Sequence, residues 1–262
     1  MLSVLRLRLA PALFCLLLVT GCFSPNPNDK LSNMPQGTGF TVHAVRSSGE
    51  ERKYSVFVPR DYSPQKKYPT IIFLHGIGEA GSDGVKCTTV GIGPAIAKRN
   101  GNFPFIVVFP QAGWDWTGKE QGQLVVDVLD DASKQFAIDK DRVTLTGMSS
   151  GGEGTWVLGA RYPDRFAALV PMGGYAATDT VPTLARVHMP VWALHNSGDF
   201  IVMVGGTRKM VKMLKDAGLD EDHLKYTEFN AIGHNCWDAA YDEGALFNWL
   251  QQQHASSHVA MR

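Results

Sequence analysis

Gly147-Met148-Ser149-Ser150-Gly151 is the stretch of this chain whose spacing most directly implies chemistry. A serine with glycines two residues to either side suits a sharp turn from a strand into a helix. The missing side chains relieve crowding in strained backbone and let the hydroxyl stand clear of the surface. The helix that follows would aim backbone N–H groups at negative charge developing on a bound carbonyl oxygen. Ser149 is therefore the candidate nucleophile. Ser150 is a rival hydroxyl that lacks the symmetric glycines, and its backbone N–H is better placed as an oxyanion donor.

A hydroxyl of ordinary acidity needs a base beside it and a third group to orient that base. His188, His195, His223, His234, His254 and His258 follow Ser149. His234 stands in Ile232-Gly233-His234-Asn235, between the last strand-like run and the last helical pattern, where a loop can reach back over a sheet edge. His195 closes an apolar run and is the second candidate base. For the acid, Asn196-Ser197-Gly198-Asp199 follows the run Val191 to Leu194 and offers Asp199. Asp179 and Asp238 are the alternatives, the latter at a helix start where a carboxylate suits the dipole alone.

His75-Gly76-Ile77-Gly78-Glu79 also follows an apolar run, and its turn offers the backbone N–H of Ile77 as a second oxyanion donor. Glu79 reads as a solvated or loop-pinning carboxylate. Trp114 and Trp116 follow the run ending at Phe109, and either line an aromatic substrate pocket or pack their loop. The chain shows no metal-ligand spacing and no phosphate-binding or dinucleotide-binding glycine pattern, so no cofactor is expected.

These residues need a scaffold that brings them to one edge. Thr41 to Ser47 and Lys53 to Val58 alternate apolar and polar residues about a Ser-Gly-Glu turn, which predicts an antiparallel hairpin. Thr70 to His75, Phe105 to Phe109, Val143 to Thr146, Ala168 to Pro171 and Val191 to Leu194 are short apolar runs, expected of strands buried on both faces. Helical spacing runs from Leu124 to Phe136 and from Thr155 to Tyr162, ahead of Pro163. Lys209 to Leu214 and Ala239 to Leu250 predict two more helices around a strand at Leu224 to Phe229. The alternation predicts an α/β fold, a doubly wound, mostly parallel sheet with helices on both faces.

With these residues placed, the chain resembles the α/β-hydrolase carboxylesterases often labelled predicted peptidases or prolyl-oligopeptidase-family serine hydrolases, neighbours of feruloyl esterases and polyhydroxybutyrate depolymerases. The matching stretches are Phe73 to Glu79, Thr88 to Ala95, Gly147 to Trp156, Ala160 to Ala168 and Gly233 to Asp238. The resemblance implies a single-domain α/β-hydrolase fold and ester hydrolysis through an acyl-enzyme on Ser149, with His234 and Asp199 completing the triad. It has two departures: Asn196 stands where such proteins usually carry glycine, and Met203 where they usually carry proline. Two other functions stay open, a peptidase using the same triad and a surface lipoprotein that binds a ligand without catalysis. A peptidase would want an extended cleft or gating domain, for which the chain has no expected room.

Composition agrees with an enzyme of one domain. Hydrophobic residues make up 44% of the 262, and 25 basic residues balance 25 acidic ones, which removes the footprint of a nucleic-acid binder. Arg6 and Arg8 precede an apolar run from Leu9 to Val19 that is too short to span a bilayer and ends in Thr20-Gly21-Cys22. Residues 1–21 therefore read as a signal peptide. Val19 to Cys22 resembles a bacterial lipobox, implying lipidation of Cys22, a flexible tether over 22–39, the catalytic domain over 40–254 and a frayed tail over 255–262. The expected place is the cell envelope, anchored by lipid alone, with Phe23 after the cysteine pointing to the outer membrane; simple secretion is the alternative. Cys15 leaves with the signal peptide, and Cys87 and Cys236 remain, either bridged across two active-site loops or as buried thiols.

Overall fold

Strands β1 (Gly39–Ser47) and β2 (Glu50–Val58) pair antiparallel from Gly39 opposite Val58 to Ser47 opposite Glu50. The turn between them passes through Ser48 and Gly49, both at positive φ. The computed structural model describes Leu31 and residues 34–255, so the signal peptide, Cys22 and most of the tether and tail lie outside the described residues. Six further strands follow: β3 (Tyr68–Leu74), β4 (Ile106–Pro110), β5 (Ile138–Met148), β6 (Ala168–Met172), β7 (Val191–Gly198) and β8 (Leu224–Ile232). They form one sheet in the order β1-β2-β4-β3-β5-β6-β7-β8. β2 meets β4 antiparallel, and from β4 onward every pair is parallel.

Parallel neighbours require crossovers, and these are the helices. On one face lie α2 (Lys119–Gln135), α3 (Ser150–Arg161), α4 (Val181–Arg186) and α5 (Val204–Asp216); on the other lie α1 (Ile92–Lys98), α6 (Trp237–Asp242) and α7 (Gly244–Gln251). Alternate strand residues serve the two cores. Ile72, Leu74, Val108 and Leu145 pack under α2 and α3, while Ile71, Phe73, Val107 and Phe109 pack under α1, α6 and α7. That division explains why the central strands read as unbroken apolar runs. Among the described residues no helix is long and apolar enough to cross a membrane.

The elements differ from the sequence expectation in several places, among them the helix α4, which was not expected, and β5, which begins at Ile138 rather than Val143. The single helix expected over Ala239 to Leu250 is two, because Glu243 is extended and the Arg99 guanidinium takes the carbonyls of Tyr241 and Asp242 at the end of α6. α1 was not legible, with Gly93 and Pro94 in its first turn. β7 runs four residues past Leu194 to Gly198, which carries its end over the sheet edge to Asp199.

Candidate active site

Ser149 stands alone between β5 and α3, with φ 56° and ψ −120°. This left-handed region is rarely occupied by a residue with a side chain and costs about 1–3 kcal/mol. Its N–H donates to Met172 O at 2.9 Å and its carbonyl accepts from Glu153 N–H at 3.1 Å, so both neighbours hold the strained turn. The flanking glycines serve close approach, and neither has a positive φ. A Cβ on Gly147 would lie 2.3 Å from Gly151 O, and one on Gly151 would lie 2.1 Å from Leu74 O. Only bare backbone lets the turn sit against the end of β3.

His234 follows β8 and Gly233, whose φ of 103° swings the loop back over the sheet and whose N–H is tied to Gly198 O at 3.0 Å. Its Nε2 lies 2.8 Å from Ser149 Oγ and its Nδ1 lies 2.6 Å from Asp199 Oδ2. Trp237 meets the ring edge-on at 5.2 Å. Asp199 is buried, and its other oxygen accepts the N–H groups of Ile201 at 2.9 Å and Val202 at 3.0 Å. Burial disfavours its charge, yet the bonds from His234 and the two N–H groups outweigh that, and the carboxyl is held below the ordinary value. Asp179 lies exposed in a turn, and Asp238 is engaged with Asn235, so neither takes this place.

Asn196 and His195 lie toward the end of β7, and what they hold is not legible from local sequence. The Asn196 amide donates to Gly233 O at 2.9 Å and Asn235 O at 3.1 Å, the carbonyls on either side of His234. A glycine there could make neither bond. His195 is fully buried, 3.1 Å from the same Asp199 oxygen that receives His234. Met203 has φ −62°, the angle a proline would fix, so the backbone at this departure is one that proline could also adopt.

Ile77 and Ser150 each open a helix, so their N–H groups have no carbonyl one turn back to accept them. The two loops touch: a Cβ on Gly76 would lie 3.6 Å from Ser149 Cβ. His75 secures this loop from below. Ala112 N–H donates to its Nε2 at 3.1 Å, so Nδ1 carries the proton and donates to Gly76 O at 2.7 Å. Burial holds His75 below the usual imidazole value, in keeping with a neutral ring.

The chain matches the family described as “Putative esterase” over residues 46–235. It belongs to that esterase family. It is 26% identical over 176 residues to the bifunctional acetylxylan esterase/xylanase XynS20E of Neocallimastix patriciarum, a match covering 65% of this chain and 25% of that protein. The chain thus spans about a quarter of that relative's length. Among solved structures, a thermostable esterase superposes with a TM-score of 0.73 at 28% identity, covering 82% of this chain and 63% of that one. The feruloyl esterase module from Clostridium thermocellum, complexed with sinapinate, shares the fold with a TM-score of 0.66 at 18% identity over 86% of this chain and 92% of that one.

In this esterase-family domain the alternatives left open for the tryptophans and the cysteines are decided by packing. Trp116 does not line a pocket: it is fully buried, its Nε1 donates to His75 O at 2.9 Å, and its ring packs 4.9 Å from His75. Trp114 projects into solvent at 75% exposure. A cavity of about 370 Å³ is walled by Met148 and Asn235, the chain neighbours of Ser149 and His234, and by Trp237, Glu79, Val90 and Pro94. Burial raises the Glu79 carboxyl above its ordinary value, against the Gly76 N–H and nearby Lys86. Cys87 and Cys236 are not bridged. Each is a buried free thiol with its own carbonyl partners, Gly84 and Phe109 for Cys87 and Leu194 for Cys236. Of eight large apolar side chains exposed among the described residues, all but Val42 lie at or just past the C-terminal ends of strands, from Ile77 after β3 through Phe200 and Ile201 after β7 to Ile232 at the end of β8.

Proposed function

We propose that this esterase-family chain hydrolyses carboxylic esters through an acyl-enzyme on Ser149. The observation that carries the proposal is the continuous relay from Ser149 Oγ through His234 to Asp199, at 2.8 Å and 2.6 Å. His234 Nε2 takes the Ser149 proton as Oγ attacks the ester carbonyl carbon. The resulting oxyanion accepts from the N–H groups of Ile77 and Ser150. Collapse breaks the ester C–O bond, and His234 returns its proton to the departing alkoxide. Water, deprotonated by the same nitrogen, then attacks the acyl carbon and releases the acid, restoring the serine proton. Asp199 keeps Nδ1 protonated and stabilises the imidazolium formed in each half.

The cavity walled by Trp237 and Met148 is assigned to one side of the substrate, and its mixed lining favours a group with both apolar and hydroxyl character. Export and lipid attachment at Cys22 belong to the same proposal. A cell-surface or periplasmic ester hydrolase is the result.

The test is a fluorophosphonate probe followed by short p-nitrophenyl esters and a panel of peptide p-nitroanilides. Labelling of Ser149 with faster ester turnover is expected. Failure to label Ser149 overturns the proposal, and anilide turnover exceeding ester turnover replaces it with a peptidase.

A further inference from the structure

Asp199 Oδ2 is shared between two imidazoles, His234 Nδ1 at 2.6 Å and His195 Nε2 at 3.1 Å. The reaction uses the first; nothing in the proposed cycle uses the second. His195 Nε2 also lies 2.8 Å from Val202 O, in the loop whose N–H groups hold the other Asp199 oxygen. On the far side of the ring, Nδ1 lies 2.8 Å from Thr207 Oγ1 in α5, which is itself 3.2 Å from Gly174 O. The side chain is completely enclosed, so these partners are its whole hydrogen-bonding environment.

Counting protons fixes its state at one end. Asp199 Oδ2 and Val202 O are both acceptors, so Nε2 must carry a hydrogen. At the other end, Thr207 has one hydroxyl proton and two acceptors to choose from. Pointing at Nδ1, it leaves His195 neutral, and Gly174 O keeps the Trp156 Nε1 donor at 3.1 Å. Pointing at Gly174 O, it requires a proton on Nδ1 and a cationic ring. In both states an N–H faces the carboxylate oxygen that His234 uses.

We propose that His195 is a positioning residue that sets how much negative charge Asp199 presents to His234. This rests on the relay proposed above. An N–H on Oδ2 draws off part of the carboxylate charge and weakens the hold on the His234 imidazolium, freeing the base at lower pH. The same bond fixes the carboxylate plane and, through Val202 O, the loop that caps it. The other charged and titratable groups packed here are Glu228, opposite His195 on β8 and paired with Arg208 of α5, Tyr226 beside Glu228, and Cys236 behind Asp199. None of them donates to Oδ2.

Two substitutions separate donation from bulk. In His195→Gln the amide nitrogen falls near the position of Nε2; in His195→Asn it falls near Nδ1 and leaves Oδ2 without its second donor. The readouts on the full chain are the acidic limb of kcat/KM with a p-nitrophenyl ester and the NMR titration midpoint of the His234 ring, the latter independent of turnover. His195→Asn should move both upward by about half a pH unit or more, and His195→Gln should return them toward wild type. Equal midpoints in all three proteins, with only thermal stability lowered, overturn the proposal and leave His195 a packing residue. Absence of turnover and of Ser149 labelling in wild type would instead overturn the hydrolase reading, while the NMR midpoints still judge His195. Should His195→Asn not fold, the wild-type ¹⁵N spectrum decides: Nε2 protonated across the accessible pH range supports the proposal, and a bare Nε2 overturns it.

Discussion

Replacing Asn196 by alanine removes two hydrogen bonds from the loop that carries His234 and changes nothing that touches substrate directly. The amide donates at 2.9 Å to Gly233 O and at 3.1 Å to Asn235 O, bracketing the histidine by one residue on each side. A neutral hydrogen bond of this kind contributes about 1 kcal/mol net, so the pair restrains the loop by about 2 kcal/mol. If that restraint is what keeps Nε2 at 2.8 Å from Ser149 Oγ, its loss lowers the aligned fraction by the same free energy. At 1.36 kcal/mol per tenfold, kcat falls about 30-fold while KM stays near wild type, since the cavity walls are intact. The melting temperature should drop by about 4–8 °C. Asn196→Asp, which turns an acceptor toward both carbonyls, should be worse, and Asn196→Gly at least as bad as alanine. The assay is steady-state hydrolysis of a p-nitrophenyl ester alongside thermal denaturation. A kcat within twofold of wild type in Asn196→Ala, despite a lowered melting temperature, would show that the clamp stabilises the fold without aligning His234.

Three further outcomes follow from other parts of the structure. The Asp199 carboxyl is held below the ordinary value of about 3.9, so its contribution to stability is complete above that pH and is lost as the pH falls through the folded value; urea melts across the acid range should show a shallower pH dependence in Asp199→Asn, together with a kcat loss of about 10³–10⁴-fold. Gly151→Ala places a Cβ 2.1 Å from Leu74 O and 2.7 Å from His75 O, backbone on both sides, and should cost about 3 kcal/mol and abolish ester turnover; a melting temperature within experimental error of wild type would refute the close approach. Cys87 and Cys236 should resist alkylation in the folded protein and react fully in denaturant without reductant, and because burial pushes the Cys236 thiol up to about 12, stability should fall as the pH rises above the ordinary thiol value of about 8.5. An intact bridge in the mass spectrum would contradict both halves of that statement.

The parts of the site written in local spacing were legible. Gly147 to Gly151 encodes a turn whose crowding only glycine relieves, and the apolar runs encode strands that the sheet buries on both faces. His234 and Asp199 were legible at one remove, through their position after the last two strands. What the sequence concealed lies in contacts between distant segments. Asn196 acts on carbonyls 37 and 39 residues away, and at its own position it looked only like a departure from glycine. His195 looked like a rival base because its partners, Thr207 and Val202, become visible only when β7 and α5 are packed. The tryptophans were illegible for a similar reason: nothing local says that Trp116 turns inward to His75 while Trp114, two positions earlier, stays in water. The cavity wall at Trp237 depends on where α6 packs, which the helical pattern does not say.

The proposed reaction passes through a covalent acyl group on Ser149. Mixing the protein with a slowly deacylating p-nitrophenyl ester, quenching in acid within the first turnover and mapping the peptides by mass spectrometry tests it directly. One acyl group on Ser149, a matching burst of p-nitrophenol, and the loss of both in Ser149→Ala are expected. An adduct on Ser150, or undiminished turnover in Ser149→Ala, would contradict that reaction.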